Sequence, residues 1–275
     1  MKKLKRVSTY LFLGVASFVS IFPFLWMIIS MTNKSVDVTG GRLLPGTHLI
    51  ENLKVLFGQV DIMSAMTNST IIAVITTFLT LLIGSLAGYG FEIYRSPGKD
   101  KIFSVLLLSM MIPFAAIMIP LYRLFGQISG TAPFLGIDTL AAALLPTIIT
   151  AFFIFFFRQN TKMFAKELVE AGRIDGLSEL GIFFRIYVPT MKTTYAAAAI
   201  IAFMNSWNNY LWPLVVLQSP DKLTIPLLIS NLGAGYTPDY GVIMTAIVIA
   251  TLPTAIVFFI MQKHFVAGMM GSVKG

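Results

Sequence analysis

Long apolar runs separated by short polar stretches set the pattern of this chain. A membrane-crossing helix takes about 20 mostly apolar residues. Six runs qualify: residues 9–31, 67–91, 102–122, 140–157, 195–217 and 241–262, the fourth being the shortest. None of them contains Asp, Glu, Lys, Arg or His. The first follows Met1-Lys2-Lys3-Leu4-Lys5-Arg6 and stays uncharged from Val7 to Asn33. That is longer than the roughly 7–15 apolar residues of a secretory signal, so it reads as a retained span. The pattern predicts an all-α membrane protein of six transmembrane helices, a single domain over residues 1–275 with no internal repeat.

The placement of charge orients these spans. With the N-terminus in the cytoplasm, 15 of the 20 Lys and Arg residues fall in inner segments; Lys34, Arg42, Lys54, Arg123 and Lys222 fall in outer ones. The bias agrees with the positive-inside rule and with an even number of spans. It predicts a multi-pass protein with both termini cytoplasmic, and it puts residues 158–192, between the fourth and fifth spans, on the inner side.

Composition narrows the class. The chain is 56% hydrophobic and 12% charged, where a soluble domain carries about 25% charged residues. The net charge of +8 sits between the spans and serves topology, not a nucleic-acid surface. The absence of cysteine excludes disulfides and thiol chemistry. His48 and His264 lie outside the spans and far apart in sequence, which speaks against a metal site. There is no phosphate-binding G-x-x-x-x-G-K-[ST] loop, since Gly98-Lys99 is followed by Asp100. Charge-free spans also lack the relays of ion-coupled pumps and the acid–base groups of an intramembrane enzyme. Uphill transport by this chain would draw its energy from another one.

Prolines 23, 113, 120, 146, 213 and 253 lie inside the spans. They kink helices whose freed carbonyls neighbours must satisfy. Two readings stand: the kinks shape the bundle, or Pro113 and Pro120 bracket a bend beside a pore. Gly84, Ala87 and Gly88 permit close helix packing.

The polar stretch Glu170-Ala171-Gly172-Arg173-Ile174-Asp175-Gly176 stands apart from the apolar runs. It predicts a first short helix near 165–174, with Glu167, Glu170 and Arg173 at three-residue spacing. Asp175-Gly176 ends it, because Gly accepts the left-handed conformation of a helix stop. Ser178 then caps a second helix near 179–187, with Glu179 in its first turn. That helix carries Leu180, Ile182, Phe183, Phe184 and Ile186, too apolar for a solvated loop. Its apolar side chains either dock a partner or pack under the bundle.

The segment resembles the "EAA" loop of ABC importer permeases, whose pattern is E-A-A-x-x-D-G-A and then I-x-L-P. Glu170, Ala171, Asp175, Gly176, Ile186 and Pro189 match; Gly172, Leu177 and Val188 depart from it. The stretch Phe203-Met204-Asn205-Ser206-Trp207-Asn208-Asn209-Tyr210-Leu211-Trp212-Pro213-Leu214, the later Leu223-Thr224-Ile225-Pro226-Leu227 and the ending from Gln262 to Gly275 are similar to the MalG-like members of the maltose-type sugar permeases. This resemblance implies a bacterial inner-membrane subunit paired with a second permease in a heterodimer. A cytoplasmic ATPase dimer that binds ATP and Mg lies below, and an extracytoplasmic sugar-binding protein above. It implies no cofactor, metal or catalytic residue in this chain. Glu170, Ala171, Gly172, Asp175, Gly176 and Leu177 would couple to the ATPase, and the tail after Gln262 would touch it. Asn231, Leu232, Gly233 and Gly235, in the outer loop 218–240, would reach the binding protein, unless they form an ordinary exposed turn.

Asn205, Asn208 and Asn209 are amides within the fifth run, beside Trp207 and Tyr210. They line a sugar path, or they join helices by hydrogen bonds while Trp207, Tyr210 and Trp212 form an interfacial belt. The function expected is the permease subunit of an ATP-driven, binding-protein-dependent sugar importer. The alternatives are a permease for glycerol phosphate or polyamine, and a stand-alone channel.

Overall fold

The computed structural model describes residues 2–271, with side chains from Arg6 to Gln262. The side chains of the tail 263–275, His264 included, lie outside the described residues. Among the described residues all regular structure is helical. Four helices are long and apolar enough to cross a membrane: Arg6–Ser30, Ile62–Ile93, Leu140–Thr161 and Tyr240–Gln262.

Three of the six expected runs are broken, and proline accounts for two of the breaks. The run 102–122 is two helices, Pro97–Ser109 and Phe114–Thr131, bent by 97°. Pro113 sits at the break with an extended backbone, as a residue that cannot continue the preceding turn. Pro120 rides inside the second helix and makes no break. The run 195–217 is divided into Lys192–Trp207 and Leu211–Val216. The Asn208 N–H donates to the Met204 carbonyl at 3.1 Å and the Asn209 N–H to that of Ser206 at 3.2 Å, closing the first helix. A helix continued through this point would drive the Pro213 ring into the Asn209 carbonyl. Leu140–Thr161 has a milder interruption at Ile149 and Thr150, between Leu140–Ile148 and Ala151–Thr161.

The chain forms two compact units. The first comprises Met1–Met63 and Ile225–Leu252. Within it most of Arg6–Ser30 is exposed in this chain, and burial begins only at its end, where Ser30 is fully covered. Amides close its end: Asn33 Nδ2 donates to the Ile29 and Leu44 carbonyls at 3.0 Å, and Asn52 Nδ2 to those of Met31 (2.9 Å) and Asn33 (3.0 Å). These side chains satisfy carbonyls that a helix end leaves orphaned. The supposed loop tip is also helical here. Pro226 opens Ile225–Gly233, which buries Ile225, Leu227 and Leu228. Asn231, Leu232 and Gly233 are its last turn, and neither Gly233 nor Gly235 takes a positive φ. These glycines are therefore not at a left-handed tip; Gly235 lies in the exposed stretch that follows, beside a fully exposed Tyr236.

The second unit comprises Ser64–Thr224 and Pro253–Gly275. Its tightest crossing joins Ile62–Ile93 to Ala151–Thr161. A Cβ on Gly88 would lie 2.6 Å from Phe157 Cβ and 2.7 Å from the Arg158 nitrogen, and one on Gly84 3.2 Å from Phe153 Cβ. Phe153 and Phe157 continue inward against Ala198 and Ala202 of Lys192–Trp207. The short helix Leu211–Val216 is pinned by Trp212, fully buried, whose indole N–H donates to the Ala142 carbonyl at 2.9 Å. Phe114 and Phe125 flank the same indole. Trp207 is likewise buried, stacked on Phe203 beside Ala73. Neither tryptophan is an interfacial belt residue, because both fill space between helices; Tyr210 alone of the three is exposed.

Asp138 clamps the segment after this short helix. It has a φ of 61°, a left-handed turn that Asp tolerates better than most residues. Its own N–H donates to the Val216 carbonyl at 2.8 Å. Its carboxylate accepts from the N–H groups of Gln218 (2.8 Å) and Ser219 (2.9 Å) and from the Ser219 hydroxyl, with Lys222 Nζ at 3.5 Å. Burial pushes the carboxyl upward, but the Ser219 hydroxyl, the two N–H donors and Lys222 outweigh it and hold its pKa at about 2.

Two predictions follow from this packing. Gly88→Ala destabilises the purified protein by about 1–3 kcal/mol, because main chain stands where the methyl would go. Gly90→Ala, where a Cβ meets nothing within 4 Å, leaves the unfolding midpoint unchanged or raises it. The Asp138 clamp makes its full contribution above the ordinary carboxylate pKa of about 3.9, since its folded pKa is depressed. The contribution is lost as pH falls through that value toward about 2. Asp138→Asn flattens this acid limb in unfolding midpoints measured against pH.

Candidate functional site

The segment 158–192 folds as a compact elbow. The helix Glu167–Ile174 ends at Asp175, and Gly176 follows with φ +76°. The Leu177 N–H donates to the Gly172 carbonyl (2.9 Å) and the Gly176 N–H to that of Arg173 (3.1 Å). This pair is a Schellman stop. The Ser178 hydroxyl then accepts from the Gly181 N–H at 3.1 Å, capping Glu179–Ile182 as its sequence predicts. That helix runs on through a wide, π-type turn over Phe183–Tyr187 and a last turn Val188–Thr190. Pro189, which lacks an N–H, sits just beyond the widened turn, and such turns recur where a helix ladder is interrupted.

The apolar side chains divide between a buried face and an exposed one. Ile182, Phe183 and Tyr187 are buried with Phe164, Val169, Met191 and Tyr89. Leu180, Phe184 and Ile174 are exposed, Ile174 at 87%. The Tyr187 hydroxyl lies 2.6 Å from Thr161 Oγ1, which itself donates to the Phe157 carbonyl, so the tyrosine is the donor. Burial raises the Tyr187 pKa above its usual value. Gly172 is where the two helices meet: a Cβ there would lie 2.9 Å from Ile186 Cδ1 and 3.0 Å from Ile182 Cγ1. Glu170, Ala171, Asp175 and Gly176 are exposed and Leu177 is half-buried.

Charge ties the elbow to the end of Ile62–Ile93. Arg173 Nε donates to Glu179 Oε1 at 2.8 Å across the turn, rather than running back along its own helix toward Glu170. The Tyr94 hydroxyl donates to the other oxygen of Glu179. Arg173, then Tyr94, hold the Glu179 carboxyl below its usual range. Burial, then the bond to Glu179, raises the Tyr94 hydroxyl. Beneath this lies a buried network that sequence reading missed. Arg158 Nε donates to Glu92 Oε2 at 3.3 Å, with both residues about 5% exposed. Arg158 also pairs with Asp100 and covers the Phe103 ring at 4.1 Å. Lys166, at the start of the elbow helix, reaches Glu92 at 3.7 Å. The available signal was that Glu92 and Arg158 each follow directly on an apolar run.

The four residues expected along a substrate path are separated. Asn205 and Asn209 line one cavity of about 470 Å³ within the second unit. Asn208 donates to its own helix at the Met204 carbonyl (2.9 Å) and lies outside that lining. Trp207 faces the core. Asn231, Leu232, Gly233 and Gly235 belong to the other unit.

Known proteins resemble this chain over nearly its whole length. Residues 80–271 match the family described as "Binding-protein-dependent transport system inner membrane component". The lactose transport system permease protein LacG of Rhizobium radiobacter is 50% identical over 273 residues, covering 99% of this chain and 98% of its own. The arabinooligosaccharides transport system permease protein AraQ of Halalkalibacterium halodurans is 36% identical over 265 residues, 94% of this chain and 93% of its own. A chain of a bacterial ABC transporter involved in the import of the acidic polysaccharide alginate superposes with a TM-score of 0.82, covering 96% of this chain and 97% of that one. At 20% identity this last is a likeness of fold alone.

Arg158→Met removes the cation from a buried pair and destabilises the complex by about 3–5 kcal/mol. Removing both charges, as Arg158→Met with Glu92→Gln, recovers most of that loss in the same thermal unfolding measurement.

Proposed function

The chain belongs to the family of binding-protein-dependent transport system inner membrane components, and on that premise we propose that it is the permease subunit of an ATP-driven sugar importer. The observation that carries the substrate class is the 50% identity, end to end, with a permease named for lactose transport. The chain pairs with a second permease and crosses the inner membrane six times, the broken run 195–217 counting as one span. Both termini and the elbow are cytoplasmic. ATP and Mg are bound by a separate ATPase dimer, and the sugar arrives on an extracytoplasmic binding protein. Uncharged side chains along the path suit a neutral solute better than an anionic or cationic one.

The elbow receives the ATPase. Its buried face is already filled by Ile182, Phe183 and Tyr187. Its free face presents Glu170, Asp175 and Gly176 with exposed Ile174, Leu180 and Phe184. Apolar side chains rimmed by charge suit a protein partner. Closure of the ATPase dimer would push on this face. Arg173–Glu179–Tyr94 and Lys166–Glu92–Arg158 would pass the push to Ile62–Ile93 and Ala151–Thr161. The segment after Gly233 is the reading's candidate for the binding protein.

Gly176 tests the coupling role. Nothing lies within 4 Å of a Cβ at this position, so a substitution perturbs only the left-handed backbone. Gly176→Val, which resists that conformation by about 1–2 kcal/mol, is expected to lower uptake and binding-protein-stimulated ATP hydrolysis together by roughly tenfold in the assembled complex. Gly176→Asn, which accepts it, retains most of both. Unchanged uptake and hydrolysis in the valine variant would sink the coupling role.

A further inference from the structure

The helix Leu49–Gln59 turns an apolar stripe outward. Ile50 and Phe57 stand about two turns apart on one face, and both are more than half exposed. Asn52 and Leu56 are buried on the opposite side. Leu43 and Leu44, shortly before the helix, are exposed as well. An exposed apolar patch marks a contact with another protein or with a membrane, and depth separates the two here. Hydrogen bonds fix that depth. The His48 N–H donates to the Thr32 carbonyl at 2.9 Å, and Asn52 Nδ2 to those of Met31 and Asn33. Asn33 Nδ2 holds the Leu44 carbonyl at 3.0 Å, and the Gly46 N–H donates to Thr32 Oγ1 at 2.8 Å. Residues 31–33 directly follow the membrane helix Arg6–Ser30. Leu43, Leu44 and the start of Leu49–Gln59 are therefore level with the end of a span. The other end of the helix, at Val60, is two residues from Ile62, where the next membrane helix begins. A helix of about 16 Å with span ends at both of its termini runs along the membrane surface, not away from it.

We infer that Leu49–Gln59, with Leu43 and Leu44, is seated in the lipid interface as an in-plane anchor, with Ile50 and Phe57 dipping toward the acyl chains. Interfacial helices carry aliphatic and aromatic side chains on one face and cations beside them. Lys54, four residues from Ile50 and three from Phe57, shares their face and is exposed. A lysine so placed lays its stem along the apolar stripe and puts its ammonium among headgroup phosphates. A second protein packed on the stripe would have to bury that charge, which is costly without a partner. No carboxylate interrupts the stripe: Glu51 lies about 100° around the helix from Ile50 and faces His48 at 3.8 Å. On the proposed topology the anchor lies in the outer leaflet. The inference takes from the permease reading only that the chain is embedded in a membrane, and it adds a lipid contact to it.

The chain has no cysteine, so single cysteines place a label at one site. Ile50→Cys, Phe57→Cys and Glu51→Cys, all at exposed positions, carry a nitroxide in the assembled complex, with cysteine-free partner subunits. The complex is reconstituted in vesicles of phosphatidylethanolamine and phosphatidylglycerol. Collision with oxygen reads lipid, and collision with a water-soluble nickel chelate reads solvent. The labels at positions 50 and 57 are expected to favour oxygen and to report a depth of about 5–10 Å in the headgroup–acyl boundary. The label at position 51 is expected to favour the chelate. Labels at 50 and 57 shielded from both reagents would mean that a protein covers the stripe. Labels there as open to the chelate as the one at 51 would mean that water does. Either result overturns the lipid contact. Uptake of labelled lactose and other neutral sugars by the same complexes reads the importer assignment separately. Transport with the labels at 50 and 57 in water keeps that assignment and removes this inference.

Discussion

A backbone N–H or C=O in hydrocarbon has no water to turn to, so a membrane helix can break only where protein or a polar cavity receives its loose groups. The second unit is arranged around this constraint. Its helices break at Met110 to Pro113, at Ile149–Thr150 and at Asn208 to Tyr210. The last two breaks are lodged among partners that answer for them: Thr80 Oγ1 donates to the Ile148 carbonyl at 2.7 Å, the Asn208 N–H to that of Met204 and the Asn209 N–H to that of Ser206. The tryptophan that locks Leu211–Val216 does so through a carbonyl of another broken span, at Ala142. Irregular backbone is thus found only where other parts of the unit receive its loose groups.

The elbow obeys the opposite requirement. It stands outside the apolar runs and carries a small core of its own. Local chemistry does most of this. The Schellman stop at Gly176 and the cap at Ser178 set the angle between two short helices, and Gly172 lets them close to contact. An aromatic cluster around Tyr187 fills the inside of the angle. Exposed ion pairs such as Arg173–Glu179 contribute little on their own; the buried Arg158–Glu92 pair beneath them is costly to leave half-made.

What sequence could reveal follows the range of each interaction. Gly176 and Ser178 were legible because a helix stop and an N-cap are written within a few residues. Charge-free runs gave the helical class and most of its boundaries. Pro113 and Pro120 carry the same local signal, yet only the first stands at a helix break, while Pro120 is carried inside Phe114–Thr131. Trp207 and Trp212 were ambiguous for a different reason. Whether an aromatic faces headgroups or a neighbouring helix depends on partners such as Ala142, 70 residues away in the chain. Glu92 and Arg158, 66 residues apart, are beyond any short-range pattern. Asn205, Asn208 and Asn209 look equivalent by spacing, but the helix end at Asn208 turns that amide back on the Met204 carbonyl.

The contact at Gly84 and Gly88 has a mechanical consequence. Where side chains interdigitate between helices, rotamer changes let one slide over the other. Here main chain meets side-chain root with no such cushion, and the touching residue, Arg158, is at once held by a carboxylate just beyond the crossing. Ile62–Ile93 and Ala151–Thr161 are thereby welded into one stiff beam at this end. Any rocking of the pair must be taken up at a joint farther along, and the interruption at Ile149–Thr150 is the nearest place with the freedom to give.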